Sequence, residues 1–153
     1  MGAHEKRKQS TWLLLDQAAA DRLTAFIVQA ADNAYLCRYL CEEFNTLWLI
    51  AEDGSIRVAI EEVVLEETPD FITAPMPKRH RPRSKLGHPS LVEGGRGRVG
   101  GELTLNVSDR KCYLSNRSGR FGRGRTEAEL ENAAQAFRDL GIDVTASYER
   151  MTW

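Results

Sequence analysis

Apolar residues in the first third of the chain recur at helical spacing. Ala18, Leu23, Phe26, Ile27 and Ala30 fall on one stripe of a 3.6-residue period, with Asp21 and Arg22 outside it. Asp16 stands just before the stripe, and its short carboxylate can accept from the free backbone N–H groups of a first turn. After Ala31, Asp32 and Asn33 the pattern resumes at Tyr35, Leu36, Tyr39, Leu40 and Phe44, either as a second helix or as the first one continued. Residues 1–46 therefore read as a helical N-terminal part.

The period then changes. Leu47 to Ala51 and Ile56 to Ile60 are β-type runs joined by a turn containing Gly54, so residues 47–65 predict a hairpin. Residues 66–85 carry prolines at 69, 75, 77 and 82 and end in a basic cluster, which predicts an extended connector without regular structure. Three β segments are expected next, Leu86 to Val92, Val99 to Val107 and Lys111 to Asn116, extending the hairpin's sheet. Thr126 followed by Glu129 has the spacing of a capping box, and Gly141 closes the helix they open, with Leu130, Ala133, Ala134, Phe137 and Leu140 as its buried face. Ile142 to Tyr148 reads as a last strand. The order predicts one α+β domain over 1–153: an antiparallel or mixed sheet of about six strands, with the N-terminal helices and one C-terminal-region helix packed on it.

Length and composition suit this reading. At 153 residues the chain can bury a core without disulfide or metal staples. No stretch approaches the roughly 18 to 20 apolar residues of a membrane span. The basic Lys6, Arg7 and Lys8 precede an apolar run, Trp12 to Leu15, that is too short for a signal-peptide core. A cytoplasmic, reducing setting is expected, and delivery by a dedicated secretion machine would leave no mark of this kind. Cys37, Cys41 and Cys112 form no CxxC pair and have no histidine at zinc-ligand spacing, so no metal site is expected. Cys37 and Cys41, four apart on a helix, read as small buried apolar side chains.

Charge changes the picture more. The formal net charge is −1, yet residues 78–125 hold thirteen bases against three acids, an excess of +10 that leaves −11 for the remainder. Such segregation points to an anionic ligand, a nucleotide or nucleic acid. It also allows the acidic helices to fold back over the basic segment, or to dock a basic protein partner.

Gly95, Gly97 and Gly100 match the letters of GxGxxG, but β-type sequence follows them where a dinucleotide fold needs a helix. What remains is a turn, or a backbone cradle for phosphate flanked by Arg96 and Arg98. A second Gly/Arg segment runs from Asn116 to Arg125, and its Arg117 and Arg120 can fork onto phosphate. Phe121 can stack on a base or anchor the core. His88, Glu102 and Ser118 would supply an acid/base, a carboxylate and a hydroxyl if the sheet brings them together. The catalytic candidates are thus His88, Glu102, Ser118 and Arg120, and the ligand-binding candidates Arg96, Arg98, Asn116, Arg117 and Phe121. No resident cofactor is named by any motif.

Leu47 to Gly54, Gly87 to Leu91, Gly100 to Leu103 and Asn116 to Phe121 together resemble a poorly characterised bacterial module, found in C-terminal regions of large polymorphic-toxin-like or Rhs-type proteins and in small free-standing proteins. The resemblance covers about two thirds of the chain and implies a bacterial source and a toxin or effector context, with no established reaction. A similar histidine and Ser-Gly-His-Tyr pattern occurs in plant calmodulin-binding proteins of the IQ-motif type. Here Arg120 and Phe121 replace its His-Tyr.

Overall fold

The computed structural model describes residues 8–32, 35–66, 72–80, 84–106, 108–109 and 111–151. Among them are three α-helices and nine strands: β1 (Leu13–Leu14), α1 (Gln17–Ala31), α2 (Tyr35–Glu43), β2 (Thr46–Ala51), β3 (Ile56–Ile60), β4 (Glu62–Glu66), β5 (Ile72–Pro75), β6 (Lys85–Leu86), β7 (Gly97–Asn106), β8 (Lys111–Ser115), α3 (Glu127–Asp139) and β9 (Val144–Ser147). The fold is α+β. Six strands form one sheet in the order β1-β3-β2-β7-β8-β9, and β5-β4-β6 form a second. The large sheet is mixed, because β9 runs parallel to β8 while its other pairings are antiparallel.

Alternation along the central strands gives the large sheet two buried faces. Trp48, Val58, Leu103 and Leu114 point to one face and meet Ala19 and Ala20 of α1 and Leu130, Ala133, Ala134 and Phe137 of α3. Trp48 and Phe137 meet edge to face with centroids 5.8 Å apart, and the Trp48 indole N–H donates to the Ser115 carbonyl at 3.1 Å. On the other face Leu47, Leu49, Ala51 and Ala59 pack against Leu91, Val92 and Phe121. That second layer is made by loops and a short 3-10 helix, and it is where the conspicuous sequence motifs lie.

Both predicted helix caps form. Asp16 accepts from the Ala19 N–H at 2.8 Å, and Thr126 and Glu129 complete a reciprocal capping box. The stripe of α1 is rotated from the expected one, since Ala19, Ala20 and Ala30 are buried while Ala18 is exposed. α2 departs further, for it buries no residue completely and leaves Tyr35 at 83% and Leu36 at 66% exposure. Cys37 and Cys41 are accordingly half-buried and not core, because α2 rests mainly on α1 and meets the sheet chiefly through β7.

Three expectations from the mid-chain need correction. The connector contains a strand, β5, which pairs with β4, and Phe44 bridges to Pro77; residues 67–71 and 81–83 of the connector lie outside the described residues. Pro75 is tolerated because it closes β5, an edge strand with no neighbour on its outer side among the described residues to require its missing N–H. The segment from Leu86 to Val92 is not a strand beyond Leu86. His88–Val92 form the 3-10 helix, with Pro89 setting its first turn and the Ser90 hydroxyl donating to the Gly87 carbonyl at 2.7 Å. Nor does this segment extend the hairpin's sheet, since β6 pairs with β4 in the small sheet. The edge strand β1, two residues paired with β3, was too short to show a period.

Candidate active site

β7 carries the site. Glu102 near its middle faces the loop layer with Gly100, and a bulge at Arg98 near one end breaks the alternation, so that Gly97 faces Leu49 and Phe121 of the same layer. Gly101 is required beside Glu102. A Cβ there would lie 1.7 Å from the Ser115 carbonyl oxygen and 3.0 Å from the Arg117 amide nitrogen, so only glycine lets the chain leaving β8 cross β7 this closely. The crossing places Arg117 beside Glu102. Gly122 permits a second approach, its missing Cβ facing the Asn116 carbonyl oxygen at 1.8 Å.

Glu102, Asn45, Lys78, Arg117, Ser118, Gly119 and Glu149 line a cleft of about 650 Å³. A neighbouring cleft of about 440 Å³ shares Arg117 and Glu149 with it and runs across Tyr113 and Ser115 to Arg38 and Glu42 of α2. Arg117 Nε lies 2.8 Å from Glu149, and its Nη1 lies 3.8 Å from Glu102. Burial raises the proton affinity of the Glu102 carboxyl above the ordinary range, with Arg117 opposing the rise and Glu61 adding to it. Arg117 itself is held firmly charged by its bond to Glu149.

Behind Glu102 stands a charged group that the sequence did not single out. Glu61, 5% exposed, accepts from the Lys85 ammonium at 3.0 Å and from the Asn45 amide at 3.2 Å. Lys78 is held by the Cys41 carbonyl at 3.0 Å. Asn45 precedes β2, Glu61 lies between β3 and β4, Lys85 belongs to β6 and Lys78 to the connector, so no shared motif marks them and only the tertiary fold brings them together.

The candidates do not form one site. Glu102, Arg117 and Ser118 share the larger cleft. His88 sits beside it with its Nε2 2.8 Å from the Gly101 carbonyl oxygen, and burial holds the imidazole below its usual range. The Ser118 hydroxyl accepts from the Phe121 N–H at 3.2 Å, which stiffens the loop and leaves the hydroxyl proton free to be donated. Asn116 is 1% exposed, its amide exchanging hydrogen bonds of 2.9 and 2.8 Å with the Glu149 backbone, so it fixes Glu149 and offers no face to a ligand. Phe121 is the core anchor of the two readings open for it, 4% exposed and packed in the loop-side cluster. Arg120 lies over its ring, 5.4 Å from the centroid.

Arg96, Arg98 and Arg120 line a different cleft of about 320 Å³, together with Arg125 and Glu52. Arg98 and Glu102 are four residues apart along one strand that is bulged at Arg98, roughly 10–13 Å. Among the described residues, ion pairs join the basic segment to Glu52, Glu61, Glu102, Glu129 and Glu149, from strand ends, β7, α3 and the chain after β9, and none of these pairs involves α1. Among the described residues no cluster of His, Cys, Asp and Glu could hold a metal ion, and no helix is long and apolar enough to cross a membrane. Comparison with protein-family models, curated proteins and solved structures finds no match to this chain.

Proposed function

We propose that the protein is an enzyme acting on a phosphorylated substrate of the nucleotide class, free nucleotide, NAD or nucleic acid, with Glu102 as its general acid/base. One observation carries the reading: a partly buried carboxyl of raised proton affinity faces a cleft of about 650 Å³ whose other charged groups include Arg117 and Lys78. A carboxyl whose proton affinity is raised above the ordinary range can give its proton to a leaving group or take one from an incoming nucleophile. Arg117 and Lys78 supply the positive charge for phosphate, and Glu149 holds the Arg117 fork in place. Glu61, balanced by Lys85, keeps a second negative charge near Glu102 and so favours its protonated form. His88 acts as a brace for the strand that carries Glu102 and does not touch the substrate.

The test is a thermal-shift panel of NAD, ATP, GTP and short oligonucleotides, followed by chromatographic detection of product. A ligand at a hundred times its dissociation constant stabilises by about 2.7 kcal/mol, a shift of several degrees for a chain of this size. Glu102→Gln should still bind while turnover falls by about a hundredfold or more, and Arg117→Gln should lose binding. Turnover by Glu102→Gln at the native rate, or no response to any nucleotide, overturns the reading. The toxin or effector context implied by the resemblance adds a cellular readout, growth arrest on expression that Glu102→Gln relieves.

A further inference from the structure

The small cleft at the far end of β7 has no part in the acid/base chemistry, and its composition is unusual. Arg96, Arg98, Arg120 and Arg125 converge on about 320 Å³ with Glu52 as the one acid among the lining residues. They come from two separate segments, the start of β7 with the turn before it and the Gly/Arg loop, so the convergence is a product of the fold and not of a local run of charge. Arg98 and Arg120 are held by neighbouring groups, and Arg125 is paired through Nη1 with Glu129 at 3.0 Å. Arg98 donates through Nε and Nη2 to the Glu52 carbonyl at 3.1 and 2.9 Å, and Arg120 rests over the Phe121 ring. Arg96 is 85% exposed and lies 3.8 Å from the Glu52 carboxylate, a pair that solvent screens.

One loop, Asn116 to Arg125, contributes to both clefts. Phe121 is sunk in the core at its middle. Arg117 stands toward Glu102, and Arg120 and Arg125 stand toward Glu52. The cations thus fall in two groups, one at the Arg98 end of β7 and one at Glu102, roughly 10–13 Å apart along the strand, instead of closing around a single compact anion.

We propose that the Arg96, Arg98, Arg120 and Arg125 cleft is a phosphodiester site that holds the backbone of a single-stranded polynucleotide leading to the Glu102 cleft. The charge geometry stands by itself; the link to chemistry at Glu102 rests on the proposed function. A flexible chain with one negative charge per residue can run from one group of cations to the other, and each guanidinium fork matches a phosphate. A mononucleotide fills one cleft and leaves the other empty.

The experiment is fluorescence anisotropy of a labelled oligothymidylate against the whole protein at several salt concentrations. Four phosphate contacts on a single strand give a logarithmic salt slope near −2.8, so affinity falls about 50-fold between roughly 50 and 200 mM salt. Arg96→Gln with Arg120→Gln should halve that slope, to a fall of about sevenfold. Both residues are exposed, so the change opens no cavity, and it removes the Arg120 contact over the Phe121 ring. An unchanged slope in the double variant overturns the site, as does equal affinity for a mononucleotide and the oligomer. A polyglutamate peptide that binds with the same slope while the oligonucleotide does not would make it a surface for acidic protein and overturn it too. Failure of the Glu102 reading has its own signature, native turnover by Glu102→Gln with the arginine-dependent slope intact, which leaves the arginine site supported.

Discussion

His88 Nε2 lies 2.8 Å from the carbonyl oxygen of Gly101, one residue before Glu102. A carbonyl only accepts, so Nε2 carries the proton, and the imidazole ties the 3-10 helix to β7 in its neutral form. Burial holds the ring below its usual range against the pull of the Gly101 carbonyl and of Glu61. The unfolded chain therefore takes up this proton more readily than the folded one, and stability rises with pH through that window. The contribution is complete above about pH 6.5, the ordinary histidine value, and is lost as pH falls below it. Urea unfolding near neutral pH and about one and a half units lower should show a larger loss for the wild type than for His88→Gln, which has no titrating ring. Equal losses would place the pH dependence elsewhere.

Glu102 is displaced in the opposite sense. Its raised proton affinity means that the folded protein binds this proton more tightly, so ionisation at neutral pH costs stability. Glu102→Gln keeps the shape and removes that cost, while Arg117 keeps Glu149 as a partner. The variant should be more stable by about 0.5–2 kcal/mol at neutral pH, with the advantage shrinking as pH falls toward the ordinary glutamate range. Calorimetric melting decides it, and a destabilised variant would mean that the carboxylate is needed to hold the cleft together.

Glu62 is fully buried, and its neighbours answer it with hydrogen bonds. The Ser10 and Thr11 N–H groups donate at 3.0 and 2.7 Å and their hydroxyls at 2.9 and 2.7 Å. Burial alone would raise its proton affinity, but the bonds from Thr73, Thr11 and Ser10 outweigh it and hold the carboxyl below the usual range. Its stabilising effect is present above the unfolded value and lost as pH falls through the folded one. Glu62→Ala should cost about 3 kcal/mol, since it strands donors on the segment before β1. That segment also places Trp12, whose indole N–H donates to the Leu91 carbonyl at 3.1 Å, so tryptophan fluorescence during unfolding reports the loss.

Gly101→Ala should be among the most damaging single changes. The new methyl would meet the Ser115 carbonyl oxygen at 1.7 Å, and backbone atoms on both sides leave neither room to yield. A loss of about 3 kcal/mol or more is expected, together with exposure of Trp48, whose indole depends on the same carbonyl. Gly119→Ala, with open space around its missing Cβ, is the control and should be nearly neutral.

Cys112 is buried in the sheet, and burial pushes its thiol up to about 12. It should resist a disulfide reagent until the protein unfolds. Thiol counting with and without denaturant tests this, and rapid modification of the native protein at Cys112 would show that β8 opens.

Much of the fold was legible along the chain because it is written in local chemistry. The caps at Asp16 and Thr126, the Gly54 turn and the alternation of β2, β3, β7 and β8 each rest on residues within a few positions of one another. So did the position of Glu102, an acid alone in an apolar strand. Tertiary structure decided the rest. A proline-containing stretch became β5 because β4 offered it unpaired hydrogen-bonding groups, and Leu86 to Val92 coiled because Pro89 and the Ser90 hydroxyl close a turn. Phe121 sank into the core while Arg117 and Arg120, three residues apart, turned to different clefts. Glu61 joined Lys85 and Asn45 behind Glu102 across sequence separations of 24 and 16 residues. No local period records which side of a loop faces the sheet or which distant charges meet there. Those are set by the tertiary fold and by the packing of the Gly/Arg loop onto β7, where the close passage of the chain at Gly101 leaves one arrangement.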